Sequence, residues 1–161
     1  MITFKNTKLI DKQSFKHCKS LSEFILDKFF TKQKQLKMHI DIHFVKGLFE
    51  NENSFGNCVW EDEHRRGNEF TIQIEPEQKI NLLLNTIAHE MIHVKQWAKG
   101  EYYELVYEPK VYKFNGKRVD STKIDYWDRP WEIEANGRAI GLVVQWAKKN
   151  EISHEDLVFD G

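Results

Sequence analysis

Apolar side chains recur along this chain with two different periods, and the switches between them divide it into elements. Leu21, Phe24, Ile25 and Phe29 recur three or four residues apart behind Ser20-Leu21-Ser22-Glu23, which has the spacing of a capping box, so a helix is expected from there to about Phe30. Met38, Ile40, Ile42 and Phe44 then alternate with His39, Asp41, His43 and Val45, the period of a strand with one buried face. Gly47 and the polar stretch Glu50 to Gly56 end that strand. Asn57 to Glu61 and Glu69 to Glu75 repeat the strand signal on either side of a polar turn, Asp62 to Asn68, in which Gly67 can take a positive φ; Pro76 closes the second. From Glu77 the spacing becomes helical, with Ile80, Leu83, Leu84, Ile87, Met91, Val94 and Ala98 on one stripe and Gly100 where a C-terminal cap belongs. Asn115-Gly116 between short β-prone arms predicts a hairpin over Tyr112 to Asp120, and Asp128-Arg129-Pro130 opens a last helix that runs to about Lys149. Helix, sheet, helix, insertion, helix is the order of an α+β fold.

Composition narrows the setting. The 161 residues carry 24 Lys plus Arg against 25 Asp plus Glu, a net charge of −1, and 40% are hydrophobic, which supports one packed domain over residues 1–161. Lys32, Lys34 and Lys37 and the pair Arg65-Arg66 have the chemistry to touch nucleic acid, but Glu61, Asp62 and Glu63 offset the second group and the total charge gives a polyanion no support. No stretch approaches the roughly 20 apolar residues that span a bilayer. The start Met1-Ile2-Thr3-Phe4-Lys5-Asn6 lacks a secretory pattern, so a cytoplasmic location without membrane attachment is expected. Cys18 and Cys58 stand far apart without a C-x-x-C partner and are expected as free thiols. The oligomeric state is not encoded in any pattern found.

Chemistry concentrates in the long helix, at His89-Glu90-Met91-Ile92-His93. Two histidines four residues apart lie one turn apart on one helix face, so their imidazoles can converge on a single ion, and Zn2+ suits neutral imidazole nitrogens. Glu90, on the next flank, is placed to act on a water rather than to ligate. A catalytic site needs a third protein ligand, and Trp131-Glu132-Ile133-Glu134-Ala135-Asn136 offers two carboxylates. On a helical wheel Glu132 falls within the apolar arc of Ala135, Ala139, Leu142, Val143 and Trp146, whereas Glu134 falls opposite, beside Arg138 at i+4. A buried carboxylate demands a cation and a surface one does not, so Glu132 is the expected metal ligand and Glu134 the alternative. Asn136 shares the inward side and can orient a ligating histidine or bond backbone. Tyr102, Tyr103, Tyr107, Tyr126 and His64 are the candidates for stabilising a developing oxyanion, with Tyr126, six residues before Glu132, preferred. His39, Asp41 and His43 also share one strand face, which the polar side of an amphipathic strand explains.

H-E-x-x-H in one helix followed by E-x-x-A-N in a later one resembles the gluzincin class of zinc metallopeptidases. Matched residue by residue, Glu132 takes the place of the ligand, Ala135 of the small residue after it and Asn136 of the residue that orients a ligand. The segment from His89 to Gly137 also resembles minimal SprT-like and ImmA/IrrE-like metallopeptidase domains, phage-encoded ones among them. The resemblance implies a small zincin-like domain whose three- to four-stranded, mostly antiparallel sheet packs on the motif helix and a glutamate helix. It further implies Zn2+ held by His89, His93 and Glu132, and hydrolysis of a protein or peptide substrate by a metal-activated water with Glu90 as general base. Such enzymes bind substrate along the edge strand before the motif helix, which maps onto Phe70 to Ile74 here. The same residues are compatible with two other functions: a catalytically weak, zinc-stabilised binding or regulatory protein, and a SprT-like protease acting on DNA-bound proteins. Glu90 favours an enzyme, because a purely structural site needs no base.

Overall fold

A computed structural model describes residues 1–62, 65–153 and 157 of the chain. The chain enters through β1 (Ile2–Lys5) and returns through α1 (Lys12–Phe29) and the short α2 (Lys32–Gln35) to lay β2 (His39–Phe44) beside it in parallel. The helix begins earlier than its Ser-x-x-Glu signal. Asp11 caps it by accepting from the backbone N–H groups of Gln13 and Ser14, both at 2.9 Å, so Ser20 and Ser22 fall inside. Ser22 turns its hydroxyl back onto the Cys18 carbonyl at 2.8 Å, and Ser20 accepts the indole N–H of Trp146 at 3.0 Å.

After α3 (Leu48–Glu52), the strands β3 (Gly56–Trp60) and β4 (Glu69–Ile74) complete a four-stranded sheet in the order β1-β2-β4-β3. Its β1–β2 and β2–β4 pairings are parallel and only β3–β4 is antiparallel, so the expectation of a mostly antiparallel sheet does not hold for it. Two crossovers cause this: the unanticipated β1 reaches β2 through α1, and β2 reaches β4 only after α3 and the edge strand β3, and strands joined by a crossover pair in parallel. A second correction concerns the edge. Phe70 to Ile74 lie in β4, which is paired on both sides, and the free edge beside it belongs to β3.

Ile40, Ile42 and Phe44 of β2 and Phe70, Ile72 and Ile74 of β4 are buried on the face that receives the helices. There α4 (Ile80–Ala98) buries Leu83, Leu84, Ile87 and Met91, each side chain contributing on the order of 1.5–3 kcal/mol. Along α4 packs α5 (Pro130–Lys149), whose Ala135 and Ala139 are fully buried and let the two helices approach, while Leu142, Val143 and Trp146 fill the space beyond. Between the two helices the chain forms a second, antiparallel sheet of β5 (Tyr102–Leu105), β6 (Glu108–Phe114) and β7 (Lys117–Asp120). Asn115 and Gly116 take φ of 48° and 80°, the paired left-handed residues of a tight hairpin turn, as their sequence predicts. Gly100, with φ of 69°, ends α4; a Cβ there would stand 3.0 Å from the Arg65 carbonyl, so the 65–66 turn packs directly on this residue. Among the described residues no helix is long and apolar enough to cross a membrane, and Cys18 and Cys58 are both free.

Candidate metal centre

Helix α4 carries His89 and His93 one turn apart, and their rings meet edge to face with centroids 4.8 Å apart. The facing carboxylate comes from the first turn of α5, and local sequence sets its position. Asp125 accepts from the Trp127 N–H at 3.1 Å, stabilising a one-turn 3-10 helix over Tyr126–Asp128. Pro130 then occupies the first position of α5, where its missing N–H is no loss. Glu132 follows, buried, on the side of α5 that faces α4.

His89 Nε2 and His93 Nε2 stand 3.1 Å apart, and Glu132 Oε2 lies 3.3 Å from the first and 3.5 Å from the second. Tetrahedral ligands at bond lengths of about 2.0–2.1 Å are separated by about 3.3–3.4 Å, so these three atoms already have the spacing of one face of such a polyhedron. The group can hold a metal ion.

The protonation of His93 follows from its neighbours. Gln96 lies 2.9 Å from the Trp131 carbonyl oxygen, which only accepts, so the Gln96 atom there is its NH2 group, which also donates to Glu134 Oε2 at 3.0 Å. Gln96 Oε1 is therefore the atom 2.9 Å from His93 Nδ1, and it accepts that nitrogen's proton. A proton on Nδ1 leaves the lone pair of Nε2 for a cation. Replacing Gln96 by Leu is expected to lower metal affinity about 10–100-fold, measured by competition titration against a chelating dye.

Charge in the site is strongly coupled. Burial opposes ionisation of Glu132, but hydrogen bonds with His89 and His93, the His93 charge and the Tyr126 hydroxyl outweigh it and hold the carboxyl well below its usual range. Burial likewise disfavours charge on His93, yet the Glu132 hydrogen bond and the Glu90 and Glu132 charges raise its pKa to about 9. Because that value lies above the ordinary 6.5, protonated His93 stabilises the metal-free fold fully below about pH 6.5, and the contribution is lost as pH rises through 9. A cation competes for the same nitrogen, so apparent metal affinity is expected to rise about tenfold per pH unit between 7 and 9, read from metal titrations across that range.

Glu90 lies beside this triangle and is buried; burial raises its pKa, against the opposing charges of His93 and His89. The close approach of β3 makes room for it: a Cβ at Gly56 would meet Glu90 Oε1 at 3.0 Å and Thr86 Cγ2 at 2.7 Å. Residues of β3 and its approach, Ser54, Gly56, Asn57 and Cys58, line the same cavity of about 230 Å³ as His89, Glu90, His93 and Glu132.

Other candidates fall into different places. Tyr126 donates its hydroxyl to Glu132 Oε2 at 2.8 Å, so its proton orients the carboxylate. Tyr102 is buried against Trp131, Tyr103 is half-buried beneath Arg65, and Tyr107 is exposed at the β5–β6 turn. His64 lies outside the described residues. Asn136, which the sequence left to a histidine or to backbone, sits by the Tyr126 hydroxyl, and it is Gln96 that bonds His93. Glu134 does pair with Arg138, at 3.0 Å, but is no simple surface group: it also binds Lys95 Nζ at 2.6 Å, because the last turn of α4 covers that side of α5. Lys95, itself buried, reaches Glu101 as well, at 2.6 Å. His39 and Asp41 pair with each other at 3.3 Å on the polar face of the main sheet, apart from the metal-competent group. Gln96 was missed in sequence although it stands three residues after His93, the spacing of helical neighbours. No protein-family model, curated protein or solved structure matches the chain.

Proposed function

We propose that this protein is a zinc-dependent peptidase with a zincin-like active site, in which His89, His93 and Glu132 hold the metal and Glu90 is the general base. One observation carries the reading: two imidazole nitrogens and one carboxylate oxygen stand 3.1–3.5 Å apart with a second, unshared carboxylate beside them. Two neutral imidazoles with one carboxylate are a donor set that zinc favours, and their convergence from three side chains leaves coordination available to a reactant. Bound there, zinc supplies a Lewis acid that polarises a carbonyl and lowers the pKa of water toward neutrality.

The chain's own residues do the rest. Glu90 accepts a proton from the attacking water on its carboxylate and delivers it to the departing amine nitrogen. Gln96 keeps the Nε2 lone pair of His93 directed at the site, and Tyr126 holds Glu132 in place. The unpaired edge of β3, whose Gly56 and Asn57 line the cavity, offers backbone groups to an extended peptide, which orders the substrate with little demand on its sequence.

Elemental analysis and a mixed-protein digestion test the proposal together. One zinc per chain, proteolysis that a chelator abolishes and added zinc restores are the expected results. Stoichiometric zinc without any cleavage would instead favour a zinc-stabilised binding protein.

A further inference from the structure

Next to the metal centre lies a larger cleft of about 780 Å³, walled on one side by β5 and β6 and on the other by the end of β3 and the turn carrying Arg65. Trp97 and Tyr102 line both cavities, so the two share a wall. Aromatic rings dominate its walls and stand nearly parallel. Trp60 to Trp97, Trp97 to Tyr102 and Tyr102 to Tyr112 are separated by 6.0, 5.7 and 5.0 Å, with interplanar angles of 19°, 19° and 22°. Trp60, Trp97, Tyr103 and Tyr112 are all only partly buried, so ring surface faces the cleft.

Such a wall can accept an apolar aromatic group by stacking or a cation by its π-faces. The charges decide between them. Arg65 already lies over the Tyr103 ring, with its guanidinium carbon 4.4 Å from the centroid, and repels a second cation. Glu104, the acid among the lining residues, accepts from the Lys110 backbone N–H at 2.6 Å and offsets the Arg65 charge, so the lining carries no net charge to select an ion of either sign. Distance then sets the position along a substrate. The Trp97 ring stands 6.2 Å from that of His93, and two residues of extended chain cover about 6.5 Å.

We infer that this cleft is a specificity pocket that takes a neutral aromatic side chain, Trp, Tyr or Phe, lying within two residues of the bond that is cut. The inference rests on the peptidase reading for the identity of the substrate, and on the cleft alone for the choice of side chain.

A binding experiment on the full chain carrying Glu90→Gln and loaded with zinc separates the two. Capped hexapeptides that are identical except for p-nitrophenylalanine, alanine or lysine at one central position are titrated, with calorimetry giving affinity and quenching of tryptophan emission reporting proximity to Trp60 and Trp97. The aromatic peptide is expected to bind at least tenfold more tightly than the other two, and Tyr103→Ala in the same background to reduce that preference at least threefold. Arg65→Ala, an exposed change that leaves the rings in place, is expected to improve binding of the lysine peptide and provides a second reading if Tyr103→Ala does not fold. Equal affinity for the three peptides would overturn the inference. Mapping of wild-type cleavage sites keeps the outcomes apart. Cuts with no aromatic residue within two positions would sink the pocket and spare the peptidase, whereas aromatic-selective binding without any cutting would do the reverse.

Discussion

Replacing Glu90 by Gln is expected to leave zinc binding unchanged and to slow peptide hydrolysis by about 10²- to 10⁴-fold. The amide has the shape of the carboxylate but cannot accept a proton from water, and Glu90 contributes none of the three converging atoms. Stability should hold or rise. Burial raises the pKa of Glu90, so folding disfavours its ionised form, and a neutral amide carries no such cost. Zinc content, steady-state cleavage and thermal unfolding of the same preparation check all three expectations. Undiminished cleavage by the Gln variant would remove Glu90 from the mechanism.

Glu132→Ala is expected to have the larger effect on the metal, exceeding the 10–100-fold of a residue that only orients a ligand, because it deletes an atom of the triangle. It also strips His93 and His89 of their shared anion and Tyr126 of its acceptor, so the raised pKa of His93 should fall toward its ordinary value. Glu134→Ala supplies the contrast. It leaves every ligand atom in place but withdraws one of two acids from the buried Lys95, so it should cost stability, about 1–3 kcal/mol, and little metal affinity. Isothermal titration with zinc and denaturant unfolding of the two variants distinguish these losses. Equal zinc affinity in wild type and Glu132→Ala would end the ligand assignment.

The metal-competent group was legible in the sequence because its determinants are local. Four-residue spacing puts two histidines on one face whatever the fold, and Glu132 among apolar neighbours announces a buried carboxylate. The long helix was legible for the same reason, its stripe running unbroken from Ile80 to Ala98. What escaped depends on partners distant in the chain. Ile2–Lys5 is a strand only because β2 lies beside it, and four residues carry too little alternation to declare it. The direction of strand pairing belongs to the connections, and no alternation pattern encodes it. The start of α1 was hidden by its polar first turns, since Lys12, Gln13, Ser14 and Lys16 leave the apolar period to begin later. The Lys95 link to Glu134 joins two helices and is invisible to a wheel drawn for either one, which is why Glu134 read as a surface partner of Arg138 alone.

All three side chains of the metal-competent group stand on α4 and α5, whereas the aromatic wall beside them is largely built by the hairpin that joins those helices. On the proposed function, lengthening or exchanging the tip between Leu105 and Glu108 would therefore alter what is selected without shifting an atom of the metal-competent group. On that same reading, preference and reactivity would diverge independently across descendants of such a scaffold, and a laboratory library confined to this tip would explore the first while inheriting the second.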